Sequence, residues 1–230
     1  DKADAQLIAR YAMRHQEDLK LYKLPLKSIT KLKHLLSYRE RLLKSKHAFK
    51  VASNELSKHT NKEDYDFISK DSKSLVKVLN NRIEKIDLEI KQLIESEESL
   101  KKNYELAMSV GGVGKATASH IIAYTNNFAS FSNWRQFACY SGIAPFEHSS
   151  GISLKGRTRI SPLANKKMKG LLSIGACSAI QHDKELRNYY NKRVEEGKAP
   201  LSVINIIRNK IVSRVFAVVK RGTPYVSVAN

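Results

Sequence analysis

Apolar residues recur at helical intervals along most of the chain. Leu35, Leu42, Phe49 and Leu56 are spaced by seven residues, and a second series alternates between spacings of four and three, which is typical of a coiled-coil seam. The second series comprises Leu79, Ile83, Ile86, Ile90, Leu93 and Leu100. Because the polar stretch 57–66 separates the two series, the pattern predicts a long antiparallel helical hairpin over residues 23–104.

The segments on either side of this hairpin also favour helices. Residues 1–22 begin with a short amphipathic pattern, and residues 105–230 contain three apolar helical segments. These segments cover residues 117–125, 168–181 and 202–219. Gly222 and Pro224 are expected to end the last one. Since the alternation typical of strands is scarce, the predicted fold class is mainly α: a coiled-coil hairpin and a compact helical domain with a helix-hairpin-helix-like element.

Some side chains of the C-terminal region fit either the core or a surface. An aromatic series with a spacing of three could stack on nucleic-acid bases, but one helix face packed into the core is favoured. The series comprises Phe128, Phe131, Trp134, Phe137 and Tyr140. Cys139 and Cys177 lack metal-ligand spacing, so reduced and buried thiols are expected. In the last helix, Arg208, Lys210 and Arg214 are expected on an exposed basic face.

The charge of the chain is strongly positive and unevenly distributed. There are 41 Lys and Arg against 22 Asp and Glu, a net charge of +19. Residues 151–230 contain 16 basic and 4 acidic side chains, whereas residues 105–150 are balanced. Such a distribution favours nucleic acid, bound through its phosphates. No membrane partner is expected, because long apolar runs and lipidation motifs are absent from the sequence, and a cytoplasmic protein is expected because no signal peptide is visible.

A glycine-bearing turn precedes the helical segment 117–125. The sequence Val110-Gly-Gly-Val-Gly-Lys resembles the second half of a helix-hairpin-helix element. Gly112, Gly114 and Lys115 are candidate phosphate-binding residues, because glycine lets backbone N–H groups approach a phosphate at a helix N-terminus. The spacing excludes a P-loop. A plain turn between two helices is the alternative.

The stretch 142–161 is predicted to be a loop with candidate chemistry. It places a Ser-Ser-Gly turn at 149–151 shortly before three cations, Lys155, Arg157 and Arg159. A hydroxyl beside cations suits attack on a phosphodiester, since the cations stabilise the charge that develops on the non-bridging oxygens. The alternative is a solvated basic loop with two turn-forming serines.

The order of these motifs resembles one family. An Asp-x-x-Asp-Ala helix start, a coiled coil, GGVGKATA, FSNWRQFACYSGIAP and HSSGISLKGRTRIS follow one another, as in insertion-sequence transposases of the IS-one-ten type, relatives of Piv-type DNA invertases. The resemblance implies a RuvC-like domain whose DEDD carboxylates bind Mg²⁺, and a transposase domain with a nucleophilic serine. It divides the chain into a RuvC-like remnant (1–22), the coiled-coil hairpin (23–104) and the transposase domain (105–230).

The resemblance also implies roles for individual residues. The nucleophile falls on Ser150, and the last two DEDD carboxylates fall on Asp1 and Asp4. Lys169 stands where the family usually has an arginine, so it keeps the charge but loses the bidentate fork for phosphate. The loop positions carried over are Gly151, Ser153, Gly156 and Arg159, and Lys155 and Arg157 are expected to assist in binding phosphate.

The function implied by the resemblance is that of a DNA transposase or recombinase that cuts and rejoins DNA through a covalent serine intermediate. We expect a homodimer or higher homo-oligomer paired through the coiled coil, and some members of the family use a guide RNA. The first two DEDD carboxylates have no counterpart here, so the Mg²⁺ site is incomplete and the chain as given is expected to be inactive alone. Two alternatives stay open: a non-catalytic nucleic-acid-binding and dimerisation module, and a repair or junction-binding protein.

Overall fold

The fold is mainly helical. The computed structural model describes residues 1–18, 24–59, 61–150 and 154–226. The elements in these ranges are α1 (Lys2–Arg14), α2 (Lys27–Leu56), α3 (Lys62–Glu95), α4 (Glu98–Met108), α5 (Lys115–Thr125), α6 (Trp134–Tyr140), β1 (Phe146–Ser150), β2 (Leu154–Arg159), α7 (Lys166–His182), α8 (Lys184–Glu195) and α9 (Pro200–Arg221). The predicted fold class is confirmed. Among the helices of these ranges, none is both long and apolar enough to cross a membrane.

The helices α2 and α3 pack against each other as a long hairpin. Asn61 begins α3 by accepting a hydrogen bond from the N–H of Asp64 at 2.9 Å, which satisfies one of the free donors at a helix start. Across the hairpin, the guanidinium of Arg39 donates two hydrogen bonds to the carboxylate of Asp87, and the Nη2–Oδ2 distance is 3.1 Å. The predicted hairpin therefore forms with its seam between the two helices.

The two ends of this hairpin differ in burial. Its foot (residues 27–40 and 83–95) packs on α4 and α5, and together they bury one apolar cluster. The cluster comprises Ile29, Leu32, Leu36, Ile90, Ile94, Leu100, Ile122 and Ala123. In the outer part (residues 41–56 and 62–82), large apolar side chains are exposed, Phe67 by 77% and Val78 by 51%. The foot is thus part of the same packed body as the C-terminal helices.

The helices that follow the hairpin enclose the main core. It is formed by α4 to α9, with Phe137, Met168 and Ile207 among its fully buried side chains. The helix α4 contacts α5 and α9. Its first part fell within the predicted hairpin range 23–104, but the helix belongs to this core. The aromatic series lies in or against this core, which confirms the core assignment. It does not form one helix face, because Phe128 and Phe131 precede α6.

Three details of the C-terminal region test the sequence analysis. The helix α9 ends at Arg221 and is followed by Gly222 with a φ of 76°, as predicted. The prediction of buried thiols is wrong for Cys177, which is exposed, and Cys139 is only half-buried. The stretch 142–161 is not simply a loop, because it contains β1 and β2, which form a two-stranded sheet.

Candidate nucleic-acid interface

The strands β1 and β2 form an antiparallel β-hairpin that carries five of the predicted site residues. The register pairs Ser150 with Leu154, Ser149 with Lys155, and Phe146 with Arg159. The remaining pair joins His148 to Gly156, and the register shifts between Phe146 and His148. The two serines and the cations Lys155, Arg157 and Arg159 therefore lie on the two strands of one hairpin. Gly151 and Ser153 lie outside the described residues.

The side of the β-hairpin that leads into β1 is held by α9. The amides of Asn205 and Asn209 both donate to the carbonyl of Ile143, at 2.8 and 3.1 Å. Ile143 and Ser141 are fully buried. Because an isolated two-stranded hairpin is only marginally stable, this double hydrogen bond fixes the point from which β1 leaves the core.

The side that follows β2 is held by α6 and the start of α7. The backbone N–H of Asn165 donates to the carbonyl of Tyr140 at 2.8 Å, and its side chain donates to the Tyr140 hydroxyl at 2.9 Å. Gly142 has a φ of +66°, and a Cβ at this position would lie 2.8 Å from the Cβ of Ala164. The two ends of the β-hairpin therefore touch each other. We call residues 140–145 and 160–165 the stem.

Lys169 lies at this stem. It follows the N-terminal turn of α7, where Asn165 caps the helix by accepting from the N–H of Met168 at 2.9 Å. A Cβ on Gly142 would lie 3.8 Å from Cδ of Lys169. The lysine that stands in place of the family's arginine is thus next to the residues that lead into β1.

The glycines of the turn between α4 and α5 differ in their surroundings. Gly112 has a φ of +86°, and a Cβ there would meet the carbonyl oxygen of Gly175 in α7 at 2.4 Å. Gly114 begins α5 with no side-chain cap, and a Cβ there would have nothing within 4 Å. Gly112 therefore packs against α7, whereas Gly114 and the adjacent Lys115 fit the predicted role at a helix N-terminus better.

A cavity of about 600 Å³ lies beside the start of α5, between α3 and α4. Four basic side chains line it, including Lys115 and Arg39, but four acidic side chains do so as well, including Asp87 and Glu105. This balance of charge does not favour a polyanion. The cavity is therefore a poor candidate for the DNA-binding surface.

His120 of α5 lies at the junction between the compact region and the foot of the hairpin. The residue is 5% exposed, and the Nδ1–H of its ring donates to the carbonyl of Ala116 at 2.7 Å. Burial lowers the pKa of His120 below its usual value, although the hydrogen bond to Ala116 opposes the change. Nearby, Lys167 of α7 pairs with Glu40 of α2 at 3.2 Å, which also ties the hairpin to the compact region.

The predicted metal-binding carboxylates lie at the start of α1. Asp1 caps this helix by accepting a hydrogen bond from the N–H of Ala3 at 3.0 Å, and Asp4 lies in its first turn. Both residues are exposed. Among the described residues no group of three or more His, Cys, Asp or Glu could hold a metal ion. Mg²⁺ completes its octahedral shell with water and phosphate oxygens and takes one or two protein carboxylates, so Asp1 and Asp4 could supply part of such a site. In this structure the carboxylate of Asp1 is engaged in capping α1.

The sequence analysis missed the polar residues of α9. Asn205 and Asn209 had no recognisable signal, because their partner Ile143 is more than 60 residues away in the chain. The expectation of an exposed basic face was wrong, since Arg208, Lys210 and Arg214 are all partly buried. Arg214 is bonded to Asp183 and Glu185 of the α7–α8 junction, and the Nζ of Lys210 lies 4.3 Å from the centre of the Tyr189 ring.

Comparison with known proteins bears on the region that carries the β-hairpin. Residues 104–191 match the family of IS116/IS110/IS902 transposases. The match begins in α4 and ends in α8, so it includes the glycine turn, both strands and Lys169. It leaves out the helical hairpin and α9.

Individual proteins extend the similarity over the rest of the chain. The chain is 27% identical to the pilin gene-inverting proteins of Moraxella lacunata and Moraxella bovis, in alignments that cover 98% of this chain and 67% of each relative. It is 29% identical over 119 residues to a protein of insertion element IS110 from Streptomyces coelicolor, which covers 52% of this chain and 29% of that protein. Both similarities agree with the resemblance that the order of motifs indicated.

Proposed function

We propose that the chain is part of a DNA recombinase of the transposase type, which cuts and rejoins DNA through Ser150. The observation that carries the proposal is the match of residues 104–191 to a transposase family, because those residues include both strands of the β-hairpin. The net charge of +19 supports DNA as the substrate. The name of the gene-inverting relatives favours recombination over binding alone.

The proposed reaction is an exchange of phosphate esters. The hydroxyl of Ser150 attacks the phosphorus of a DNA phosphodiester, and the Oγ–P bond forms while the P–O bond to one deoxyribose oxygen breaks. The serine proton ends on that leaving oxygen. A hydroxyl of another DNA end then attacks the same phosphorus. A new P–O ester bond forms while the Oγ–P bond breaks, so the DNA is rejoined and Ser150 is released with the proton of the attacking hydroxyl.

The cations of the β-hairpin supply the electrostatic part of the proposal. Lys155, Arg157 and Arg159 stabilise the negative charge that develops on the non-bridging oxygens. The β1–β2 register places Lys155 opposite Ser149, next to Ser150, whereas Arg159 pairs with Phe146 nearer the stem. Lys155 is therefore the cation nearest to Ser150 along the backbone, and the hydrogen bonds to Ile143 support a fixed origin for the hairpin. No step is assigned to Mg²⁺, because Asp1 and Asp4 are only part of the carboxylate set that the resemblance implies.

Pairing of two copies through the helical hairpin is part of the proposal. The exposed apolar side chains of the outer part, such as Phe67 and Val78, support it, because apolar area gains free energy when it is removed from water. Sedimentation of the full-length protein tests this point, and a monomer at every concentration contradicts it. The assembly would act on DNA in the cytoplasm of a bacterium or archaeon, with a guide RNA as a further expected partner.

A covalent adduct between the protein and DNA provides the decisive test. The full-length protein is incubated with nicked DNA from the region that flanks its own gene, with and without RNase treatment, and separated on a denaturing gel. We expect an adduct for the wild type and none for Ser150→Ala. Ser149→Ala is the matched control, since it removes the same hydroxyl from the neighbouring position of β1 and should leave the adduct intact.

The outcome also separates the alternatives. An adduct that persists in Ser150→Ala rules out this nucleophile, and a phosphoserine in the digested adduct identifies the residue that replaces it. Salt-sensitive DNA binding without any adduct would favour the non-catalytic binding module. An adduct that disappears after RNase treatment would show that a guide RNA is required.

A further inference from the structure

Two arginines of α9 have opposite surroundings. The guanidinium of Arg214 lies 3.4 Å from the carboxylate of Asp183 and also bonds to Glu185. Arg208, less than two turns away, has one hydrogen bond, from Nη1 to Oδ1 of Asn205 at 3.3 Å. Its Nε is buried without a hydrogen-bond partner, and among the described residues no carboxylate pairs with it. Arg208 therefore has donors that the described structure does not use.

The absence of a carboxylate partner is costly for a partly buried cation. A guanidinium that leaves water loses hydration, and the loss is recovered only when its N–H groups find acceptors. Burial accordingly lowers the pKa of Arg208, an effect that the nearby Cys177 thiol partly opposes. The planar fork of arginine is suited to two oxygens of one phosphate. Nε itself is enclosed by the protein, so an anion from outside the chain would bind at the Nη groups of this partly buried side chain.

The position of Arg208 connects it to the stem of the β-hairpin. Asn205, which accepts from Arg208, donates in turn to the carbonyl of Ile143 at 2.8 Å. Cδ of Lys169 lies 3.8 Å from where a Cβ on the neighbouring Gly142 would be. Lys169 is thus adjacent to the short segment that leads into β1, and Arg208 is linked to the same segment through Asn205.

We propose that Arg208 binds a phosphate of the DNA backbone at the stem of the β-hairpin, where Asn205 holds its guanidinium in place. The inference rests on the proposed function only in taking DNA as the ligand. Arg208 is a binding residue in this scheme, and the phosphate it holds aligns the duplex with β1. Lys169 supplies a second positive charge next to the same segment.

The dependence of DNA binding on salt tests the inference. The full-length protein is titrated with a mixed-sequence duplex at several salt concentrations. For Arg208→Gln we expect about tenfold weaker binding and a plot of log affinity against log salt that is shallower by about one, because one phosphate contact is lost. Arg208→Lys should keep the slope and lose several-fold in affinity, because lysine retains the charge but not the fork.

Arg214→Gln is the matched control, since it removes the same charge from the same helix. It should lower the melting temperature, because Asp183 and Glu185 lose their partner, and it should leave the salt slope unchanged. A wild-type slope in Arg208→Gln overturns the inference, and so do equal slopes in the two glutamine variants. If Arg208→Gln does not fold, Arg208→Lys decides: wild-type affinity overturns the inference, and a several-fold loss supports it.

The covalent adduct and the salt slope report on different claims. If no adduct forms, the serine mechanism fails, but the dependence of DNA affinity on salt still tests the binding role of Arg208. If the adduct forms and the slope does not change in Arg208→Gln, only the inference about Arg208 fails. If the wild type does not bind the duplex, both are overturned.

Discussion

The helical hairpin and the compact C-terminal region are held together by different kinds of contact. The hairpin is joined along a seam of apolar side chains, and only its foot is well buried, as Leu32 with no exposed area and Phe67 with 77% illustrate. The compact region depends in addition on contacts that involve the backbone, at Gly112 and at Ile143. Contacts between side chains can adjust to a substitution by small shifts. A close contact with the backbone, in contrast, leaves little room for an added atom.

The β-hairpin also differs from the stem that holds it in the kind of contact that it makes. The β-hairpin is a two-stranded sheet of its own, so its orientation depends on the stem. Asn205, Asn209 and Asn165 fix that stem through hydrogen bonds of 2.8 to 3.1 Å. The chemistry is thus expected on an element whose base is held by hydrogen bonds to the compact region.

The largest expected effect comes from Gly112→Ala. A Cβ would meet the carbonyl oxygen of Gly175 at 2.4 Å, and the φ of +86° disfavours any side chain, so we expect a loss of about 3 to 5 kcal/mol in the free energy of unfolding. Chemical denaturation of the chain measures it. Gly114→Ala is the control and should change that free energy by less than about 1 kcal/mol, because the added Cβ meets open space.

DNA binding by the same two variants tests the roles predicted from the sequence. If Gly112 contacted a phosphate instead of α7, Gly112→Ala would bind DNA weakly and unfold like the wild type. If the start of α5 contacts a phosphate, Gly114→Ala binds DNA more weakly while its stability stays normal.

The next effect distinguishes the buried side of the foot of the helical hairpin from its exposed side. Leu32→Ala removes a fully buried side chain from the cluster with α4 and α5, and should cost about 3 kcal/mol of unfolding free energy. Leu88→Ala is the same substitution at a position that is 55% exposed, and should cost less than about 0.5 kcal/mol. Equal losses in thermal or chemical denaturation would mean that the foot is not part of the packed body.

The smallest effect concerns pH and the contact between the two regions. Burial lowers the pKa of His120 in the folded protein below the ordinary value of 6.5. As the pH falls, the unfolded chain therefore binds a proton at this histidine before the folded protein does. The stability contributed by neutral His120 is therefore complete above pH 6.5 and decreases as the pH falls towards the lower folded value.

Measurements of unfolding free energy across this range test that expectation. The wild type should lose more stability than His120→Gln between neutral and mildly acidic pH, since the variant has no proton to take up at this position. Parallel curves for the two proteins would contradict the assignment of this loss to His120.

Much of the fold could be predicted because it depends on local patterns. The spacing of Leu35, Leu42 and Phe49 indicated α2, and Gly222 marked the end of α9, since helix periodicity and helix stop signals involve residues that are close in sequence. The β-hairpin was not predicted, because its strands pair only with each other and lack the apolar alternation by which a half-buried strand is recognised.

The candidate site was predictable to a different extent. The family resemblance pointed to Ser150 and Arg159, and the local excess of positive charge pointed to Lys155. The match of residues 104–191 to a transposase family covers these positions, and their roles stay predictions. Arg208 was expected on an exposed face. The alternation of apolar and basic residues does not show which basic side chains a neighbouring helix covers. Asn205 and Asn209 of α9, which hold the stem, could not be found from their surroundings in the sequence.

By itself, the sequence determined the helical hairpin, the mainly α character, the excess of positive charge and the motifs that carry the resemblance, because each depends on composition or on short spacings. The tertiary structure alone decided which glycine packs against α7, which arginine of α9 finds a carboxylate, and what holds the stem of the β-hairpin. Those outcomes depend on the approach of groups such as Ile143 and Asn209, 66 residues apart. Only the packing of the whole chain brings such groups within hydrogen-bonding distance.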